Sequence, residues 1–136
     1  MSTKGFAASV GAWTKKAKTL PDEAFQEFLR LVYQELMRAM PEVTGNLKRS
    51  VLVTDTGLVP VDTDPAKQYV DMTAENMATI ANMKIGEKAY ISVTAPYAIK
   101  ENYGGDGESG KFFIEITASK FKALQAQAIR NVKARS

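Results

Sequence analysis

The most regular feature of the chain is an apolar stripe between residues 25 and 40. Its large apolar side chains recur three or four positions apart, the spacing of one face of an α-helix: Phe25, Phe28, Leu29, Val32, Leu36 and Met40. Pro21-Asp22-Glu23 suits the first turn of this helix, and Pro41 ends it. The polar positions in between are predicted to cover the opposite side of the helix: Glu27, Arg30, Gln34, Glu35 and Arg38.

Two short segments rich in β-branched residues predict strands. Ser50 to Thr54 has three apolar residues in a row, and Ala89 to Thr94 alternates between apolar and polar positions. The intervening stretch from Gly57 to Pro65 is rich in turn residues. Val59 and Val61 are candidates to continue the first strand into a hairpin.

The remainder of the chain predicts two further helices and a loop. Ala66 to Met83 has a methionine-rich apolar face, typical of an adaptable packing surface. A short helical segment after Pro96 should run to about Tyr103, and the glycine-rich residues 104–110 predict a flexible loop. Residues 112–116 fit a short strand or the start of a helix. From Thr117 onwards the spacing favours a helix with this apolar stripe: Phe121, Leu124, Ala128 and Val132.

The N-terminal segment has a weaker helical pattern. Phe6, Val10, Trp13 and Ala17 would share one face, and Lys15, Lys16 and Lys18 give the segment a basic side. One interpretation is a short helix packed on the core. The other is an arm, residues 1–20, that docks on a neighbouring subunit.

Composition restricts the chemistry available to the protein. The 136 residues predict one domain, and they contain neither cysteine nor histidine. A zinc–thiolate site, a cysteine nucleophile and a Ser-His-Asp triad are therefore excluded, which argues against an enzyme. No apolar run resembles a signal peptide or a membrane span, so we expect no membrane association. We expect the protein to be made and used in the cytoplasm, or to be incorporated into a particle that is assembled there.

Three small clusters are candidate sites of chemistry. The glycines after Tyr103 lack the lysine and serine that end a phosphate-binding P-loop, which favours a surface loop. The acids at 55, 62, 64 and 71 do not follow the calcium-loop pattern, which favours solvated turns. Glu101 lies near Tyr97 and Tyr103, where a hydrogen bond that orders the segment is favoured over an acid–base pair. We predict no catalytic residue, no metal site and no cofactor.

The C-terminal helix carries most of the clustered positive charge, in a chain whose net charge is +3. A solvated helix face is the simpler interpretation. The alternative is a lining that faces DNA or an acidic partner, which would make the chain a small basic nucleic-acid-binding protein. The candidate residues for such a lining are Lys120, Lys122, Arg130, Lys133 and Arg135.

Two stretches carry the most distinctive motifs of the chain. The first motif is Pro41-Glu42-Val43-Thr44-Gly45-Asn46-Leu47-Lys48-Arg49-Ser50. The second motif is Tyr90-Ile91-Ser92-Val93-Thr94-Ala95-Pro96-Tyr97-Ala98, followed by Glu101-Asn102-Tyr103-Gly104. In this order they resemble the neck and tail-completion family of tailed bacteriophages, which includes the minor tail protein Z type of lambdoid phages. The positions that carry the likeness, over about residues 21–134, are Thr44, Gly45, Leu47, Ser50, Pro96, Tyr97, Ala98, Tyr103 and Gly104.

The chain departs from the family pattern at two places. Asn102 stands where the family often has an acid, with Glu101 one place earlier, and the stretch after Gly104 is rich in glycine where the family usually has a proline. The motif residues have architectural roles on physical grounds. Thr44-Gly45 should turn the chain between helix and strand, and Tyr103-Gly104 should end the short helix.

The resemblance implies a complete set of expectations. The fold should be α+β, with a long N-terminal helix and a C-terminal helix packed on a small, mainly antiparallel sheet, in a single domain over residues 1–136. The protein should be a structural component of the virion, placed at the neck between head and tail. It should form a ring, either a homohexamer or a dodecamer, with the hexamer favoured because tails have that symmetry. The ring should contact head-closure or adaptor proteins on one side and tail-terminator or tail-tube proteins on the other. Non-specific contact with DNA in the channel is also implied.

Overall fold

The computed structural model describes residues 22–41, 45–105 and 107–135. The predicted arm and Thr44 lie outside the described residues. The helices are α1 (Asp22–Ala39), α2 (Asn46–Arg49), α3 (Thr73–Ala81), α4 (Ala98–Tyr103), α5 (Phe113–Ser119) and α6 (Phe121–Arg135). The strands are β1 (Val51–Thr54), β2 (Tyr90–Val93), β3 (Gly104–Gly105) and β4 (Glu108–Ser109).

The long helix α1 forms the centre of the core. Every residue of its predicted apolar stripe is buried, which confirms the helical period. Helix α6 packs along it, and the rings of Phe28 and Phe121 meet edge to face with centroids 5.8 Å apart. The carboxylate of Glu35 pairs with Lys120 at the start of α6, whereas Glu27 pairs with Arg135 at its end. The two helices therefore run antiparallel.

Strands β1 and β2 form a two-stranded antiparallel sheet in which Val51 lies opposite Val93 and Val53 opposite Ile91. These four apolar side chains are buried, because one face of the sheet packs towards the helices. The predicted α+β class, with a long N-terminal helix and a C-terminal helix on a small antiparallel sheet, is confirmed.

The middle of the chain differs from the prediction of a helix over residues 66–83. Helix α3 begins only at Thr73, and residues 57–72 form an irregular strap across the outer side of the sheet. The backbone N–H of Val59 donates to the Ser92 hydroxyl at 3.1 Å, and that of Asp62 donates to the Thr94 carbonyl at 2.8 Å. The predicted strand continuation at Val59 and Val61 is therefore wrong, because single hydrogen bonds to Ser92 of β2 and to Thr94 just after it replace a ladder.

The segment after Pro96 follows the prediction up to Tyr103 and then departs from it. Helix α4 ends at Tyr103, and Gly104 takes a φ of +90°, the conformation for which glycine was expected. The expected loop instead contains the paired strands β3 and β4. Residues 112–116 were predicted as either a strand or the start of a helix, and the structure shows a helix, since α5 begins at Phe113. Helix α5 is separated from α6 at Lys120.

Candidate functional site

The two motifs, which lie some forty residues apart in the sequence, meet at one place in the fold. The backbone carbonyl of Ser50 accepts from the Thr94 backbone N–H at 3.1 Å and from the Thr94 hydroxyl at 2.8 Å. The Ser50 hydroxyl is itself buried and donates to the Leu47 carbonyl at 2.7 Å. The end of the first motif is therefore fixed directly to the residues that precede Pro96.

Gly45 allows the first motif to turn into helix α2. It has a φ of +76°, a conformation that side chains other than glycine rarely adopt. A Cβ at this position would also lie 2.8 Å from Nη1 of Arg49. The expected role of Gly45 is thus supported, whereas capping by Thr44 falls outside the described residues.

Asn46 connects the first motif to the strap. Its carboxamide donates to the Lys67 carbonyl at 3.0 Å and accepts from the Tyr69 N–H at 2.9 Å. Arg49 adds a bond from its Nε to the Tyr69 carbonyl at 3.0 Å. The backbone groups of residues 67–69 are thereby used by the first motif, which explains why this segment does not join the helix that follows it.

A polar cluster on the strap surrounds the ring of Tyr69. Its hydroxyl donates to the Asp62 carboxylate at 2.6 Å, and Nζ of Lys67 lies 3.2 Å from the same carboxylate. Burial and the neighbouring Asp62 raise the pKa of Tyr69, while the bond from Tyr69 lowers the pKa of Asp62. The phenol is therefore a neutral donor that fastens the strap, and these shifts do not suit it to act as a base near neutral pH.

A groove of about 420 Å³ lies between the two motifs. Leu47 of the first motif and Tyr97 of the second both line it, and Glu101 from α4 places a carboxylate at its wall. The remaining lining residues are Pro41, Asn46, Pro65 and Gln68. We call this the motif groove, because five of its seven lining residues belong to the two motifs and only Pro65 and Gln68 do not.

The rest of the second motif anchors the hairpin and α5. The fully buried Asn102 donates to the Glu115 carboxylate at 2.7 Å and accepts from the Ile114 N–H at 3.0 Å. Burial and a hydrogen bond to Glu115 raise the pKa of Tyr103. Glu115 is therefore an acid that interacts with the hydroxyl of Tyr103.

The five candidate basic residues of the last helix do not form one free face. Lys120 and Arg135 reach α1, where they pair with Glu35 and Glu27. Arg130 donates to the side-chain amide oxygen of Gln127 at 2.7 Å, and Lys122, Arg130 and Lys133 are all exposed. The charge at the two ends of α6 therefore contributes to holding α6 against α1.

Two acids of α1 are buried, although the sequence predicts them on the polar side of that helix. Glu27 is 3% exposed and accepts from Arg30 at 2.6 Å, from Asn131 at 2.7 Å and from Arg135 at 3.1 Å. Glu35 is also buried and accepts from Lys120 and Arg38. Carboxylates can occupy such positions only when cations and amides compensate for the loss of water.

Protonation of Glu27 should weaken the α1–α6 contact at low pH. The bond from Arg30, with help from Asn131 and Arg135, lowers the pKa of Glu27 to about 2 from its usual value near 4.5. A lowered folded-state pKa gives stability that is present above the unfolded value and lost as pH falls through about 2. Glu27→Gln should therefore cost about 1–2 kcal/mol near neutral pH and progressively less below pH 4.5.

Urea unfolding of both proteins across this pH range measures the difference between them. Glu75→Gln, at an exposed position of α3, is the matched control and should change stability little at any pH. A Glu27→Gln penalty that stayed constant down to pH 2 would contradict the assignment.

Three buried asparagines were not identified as structural residues from the sequence: Asn46, Asn76 and Asn102. Each bonds to backbone groups of a distant segment. Asn76 offered a signal, since it falls at helical spacing among the apolar residues of α3. Within the described residues, no group of three or more acidic side chains could hold a metal ion, and no described helix is long and apolar enough to span a membrane.

Comparison of the chain with protein-family models, with curated proteins and with solved structures gives no match.

Proposed function

We propose that the protein is a structural, ring-forming component of the neck of a tailed bacteriophage, which completes the tail and joins it to the head. The observation that carries the proposal is the meeting of the two motifs. Segments that resemble the family in the sequence share the Ser50–Thr94 bonds and one groove in the fold. Such an arrangement is expected of motifs that maintain a common architecture.

The chemistry of the motif residues supports an architectural role. Ser50, Asn46 and Asn102 direct their polar atoms to backbone or carboxylate groups within the fold. Among the described residues, every buried side-chain nitrogen and oxygen atom has a hydrogen-bond partner. Polar side chains that form hydrogen bonds within the fold stabilise a shape that other proteins can recognise.

Exposed apolar side chains lie on segments that the ring proposal uses for contacts. Val70 on the strap is 73% exposed, and Phe112 and Ile116, which follow the glycine-rich hairpin, are 46% and 41% exposed. These are the large apolar side chains that the described residues leave exposed, and they are available for protein–protein contact. We propose the strap, the hairpin and the N-terminal arm as the contact regions of a homohexameric ring, whose heterologous interfaces close by rotation.

The ring would have protein partners on both faces and DNA in its channel. Head-closure or adaptor proteins would contact one face, and tail-terminator or tail-tube proteins the other. Lys122, Arg130 and Lys133 are exposed on α6 and are the candidates for a non-specific contact with DNA. The virion would be its final location, after assembly in the host cytoplasm.

Deletion of the gene should yield heads and tails that fail to join. Electron microscopy of the lysate would show separate DNA-filled heads and tails with abnormal ends, and infectivity should fall by several orders of magnitude. Expression of the wild-type protein in trans should restore joined particles. Joined, infectious particles in the deletion lysate would refute the neck role.

A further inference from the structure

Two buried carboxylates hold four cations along the line where α1 and α6 meet. Each carboxylate and its two cations form a triad: Glu27 with Arg30 and Arg135, and Glu35 with Arg38 and Lys120. Because each triad joins one negative charge to two positive ones, it has a net charge of +1. The two carboxylates lie eight positions apart on α1, which corresponds to about 12 Å along the helix.

The triads present their cations to solvent and keep their carboxylates covered. The side chains of Glu27 and Glu35 are 3% and 8% exposed, whereas those of the four cations range from 31% to 73%. Arg38 is the most exposed of the four and bonds to Glu35 through Nη2. A guanidinium has several N–H donors, so Arg38 can also donate to an acceptor outside the protein.

A chain of side-chain hydrogen bonds adds a fifth cation from α6. Asn131 donates to the Glu27 carboxylate at 2.7 Å, and Gln127 donates to Asn131 at 2.6 Å. The exposed Arg130 donates in turn to Gln127 at 2.7 Å. We call the surface formed by the two triads and Arg130 the basic seam.

The formal charge of the chain is distributed unevenly about the two helices. Helix α6 contains no acid, and the exposed acids of α1, Asp22 and Glu23, lie in its first turn. The basic seam with Lys122 and Lys133 has seven cations and two acids, whereas the rest of residues 22–136 has seven cations and 13 acids. A polyanion is therefore attracted to α1 and α6 and repelled by the remainder of the described fold.

The chemistry of the basic seam fits the phosphates of duplex DNA. Four of its five cations are arginines, whose planar guanidinium matches the geometry of a phosphate. Single-stranded nucleic acid is bound largely by stacking of its bases on exposed aromatic rings. All four aromatic residues of α1 and α6 are buried: Phe25, Phe28, Tyr33 and Phe121. The seam therefore favours a duplex, which presents its charged backbone and keeps its bases stacked.

We infer that the basic seam binds the sugar–phosphate backbone of duplex DNA, with each of the two triads contacting a phosphate. This inference rests on the proposed neck role, in which DNA passes through the ring, and it places α1 and α6 on the inner surface of that ring. The contact is independent of base sequence, because phosphates carry no sequence information. The buried glutamates then serve two purposes, since they hold α6 against α1 and fix the cations that meet the DNA.

Binding of a short fluorescein-labelled duplex by the full-length protein, followed by anisotropy at several salt concentrations, tests the seam. We expect binding whose logarithm of affinity falls linearly with the logarithm of the salt concentration. Arg38→Gln and Arg135→Gln, one from each triad, should each weaken binding about fivefold to tenfold and reduce the salt slope by about 1. Thermal unfolding should show that both variants fold, because Glu35 keeps Lys120 and Glu27 keeps Arg30.

Lys88→Gln is the matched control, since it removes one positive charge at an exposed position outside α1 and α6. It should leave the affinity and the salt slope nearly unchanged. Arg38→Lys keeps the charge, so it should restore the salt slope while recovering only part of the affinity. Equal effects of Arg38→Gln and Lys88→Gln would overturn the inference, because binding would then follow net charge alone.

Two further results would also contradict a DNA-binding seam. One is a wild-type protein that does not bind the duplex even at low salt. The other is competition in which polyglutamate displaces the duplex at an equal or lower concentration of charge, which would indicate an acidic protein as the partner.

The outcomes separate this inference from the proposed function. Joined particles in the deletion lysate, with duplex binding weakened by Arg38→Gln and not by Lys88→Gln, would refute the neck role and leave the DNA contact standing. Failure of heads and tails to join, with equal duplex binding by the wild-type protein and Arg38→Gln, would refute the DNA contact alone.

Discussion

Asn76→Ala is expected to lower the free energy of unfolding by about 3 kcal/mol. The side chain is 3% exposed and lies between α3 and the edge of β1 that does not pair with β2. Its Nδ2 donates to the Val51 carbonyl at 2.9 Å, and its Oδ1 accepts from the Val53 N–H at 3.0 Å. Alanine would leave two buried backbone groups of the strand without partners, and each such loss costs about 1–3 kcal/mol.

Urea or guanidinium unfolding of the purified protein measures this cost. Asn82→Ala is the matched control, because Asn82 is exposed at the end of the same helix and its side chain donates to the Ala78 carbonyl within that helix. It should cost well under 1 kcal/mol. Asn76→Asp should cost at least as much as Asn76→Ala, since it buries a carboxylate and sets one of its oxygens against the Val51 carbonyl. Equal stabilities of the two alanine variants would show that the edge of β1 does not depend on Asn76.

Asn76→Ala should also aggregate more readily than the wild-type protein. A strand edge with unpaired N–H and C=O groups is a template for pairing with another chain. In the wild-type protein Asn76 occupies that edge of β1, while β2 occupies the other. Light scattering during refolding would detect the difference from Asn82→Ala.

The helix α1 was predictable from sequence because its determinants are local. The spacing of Phe25, Phe28 and Leu29 and the stop at Pro41 lie within one element, and the structure confirms both. The acids Glu27 and Glu35 were predicted only as part of the polar side of the helix, and the structure shows that both are buried. Their partners Asn131 and Lys120 lie 104 and 85 residues further along the chain, so no local pattern could show them.

The start of α3 shows how distant contacts override a local pattern. Tyr69 and Met72 have helical spacing with Ile80, yet the backbone at Tyr69 bonds to Asn46 and Arg49 from the first motif. These bonds, and the hydroxyl of Tyr69 on Asp62, stabilise an extended strap over the sheet. Helix propensity is a weak preference that tertiary contacts of this kind exceed.

The candidate site was predictable only in part. The order of Gly45, Ser50, Tyr97 and Gly104 along the chain suggested a shared architecture, but not that Leu47 and Tyr97 would line one groove. A groove depends on how separate segments pack, and that information is spread over the whole chain. The role of Asn102, recognised from sequence only as a departure from the family pattern, likewise becomes clear from its bonds to Ile114 and Glu115.

Gly110→Ala is expected to destabilise the protein by about 2–3 kcal/mol and to disturb the second motif. A Cβ at Gly110 would lie 2.5 Å from the carbonyl carbon of Tyr103, 2.6 Å from the oxygen of Asn102 and 2.8 Å from the nitrogen of Gly104. All three are backbone atoms, so relief requires the hairpin to move away from the end of α4. The second motif therefore requires glycine at position 110, where the backbone of the hairpin touches the end of α4.

Gly105→Ala is the matched control on the same hairpin. Its Cβ would lie 3.6 Å from the Lys100 side chain, an ordinary van der Waals distance, and its backbone has no positive φ. We expect a change within about 0.5 kcal/mol. Thermal unfolding distinguishes the two variants. In addition, near-ultraviolet circular dichroism should change only for Gly110→Ala, because Tyr103 packs edge to face on Phe112 with ring centroids 6.5 Å apart. If Gly110→Ala were as stable as Gly105→Ala, the hairpin would not approach Tyr103 and Gly104 closely in the folded protein. The bonds of Asn102 to Ile114 and Glu115 would then have to hold the end of the second motif without help from the hairpin.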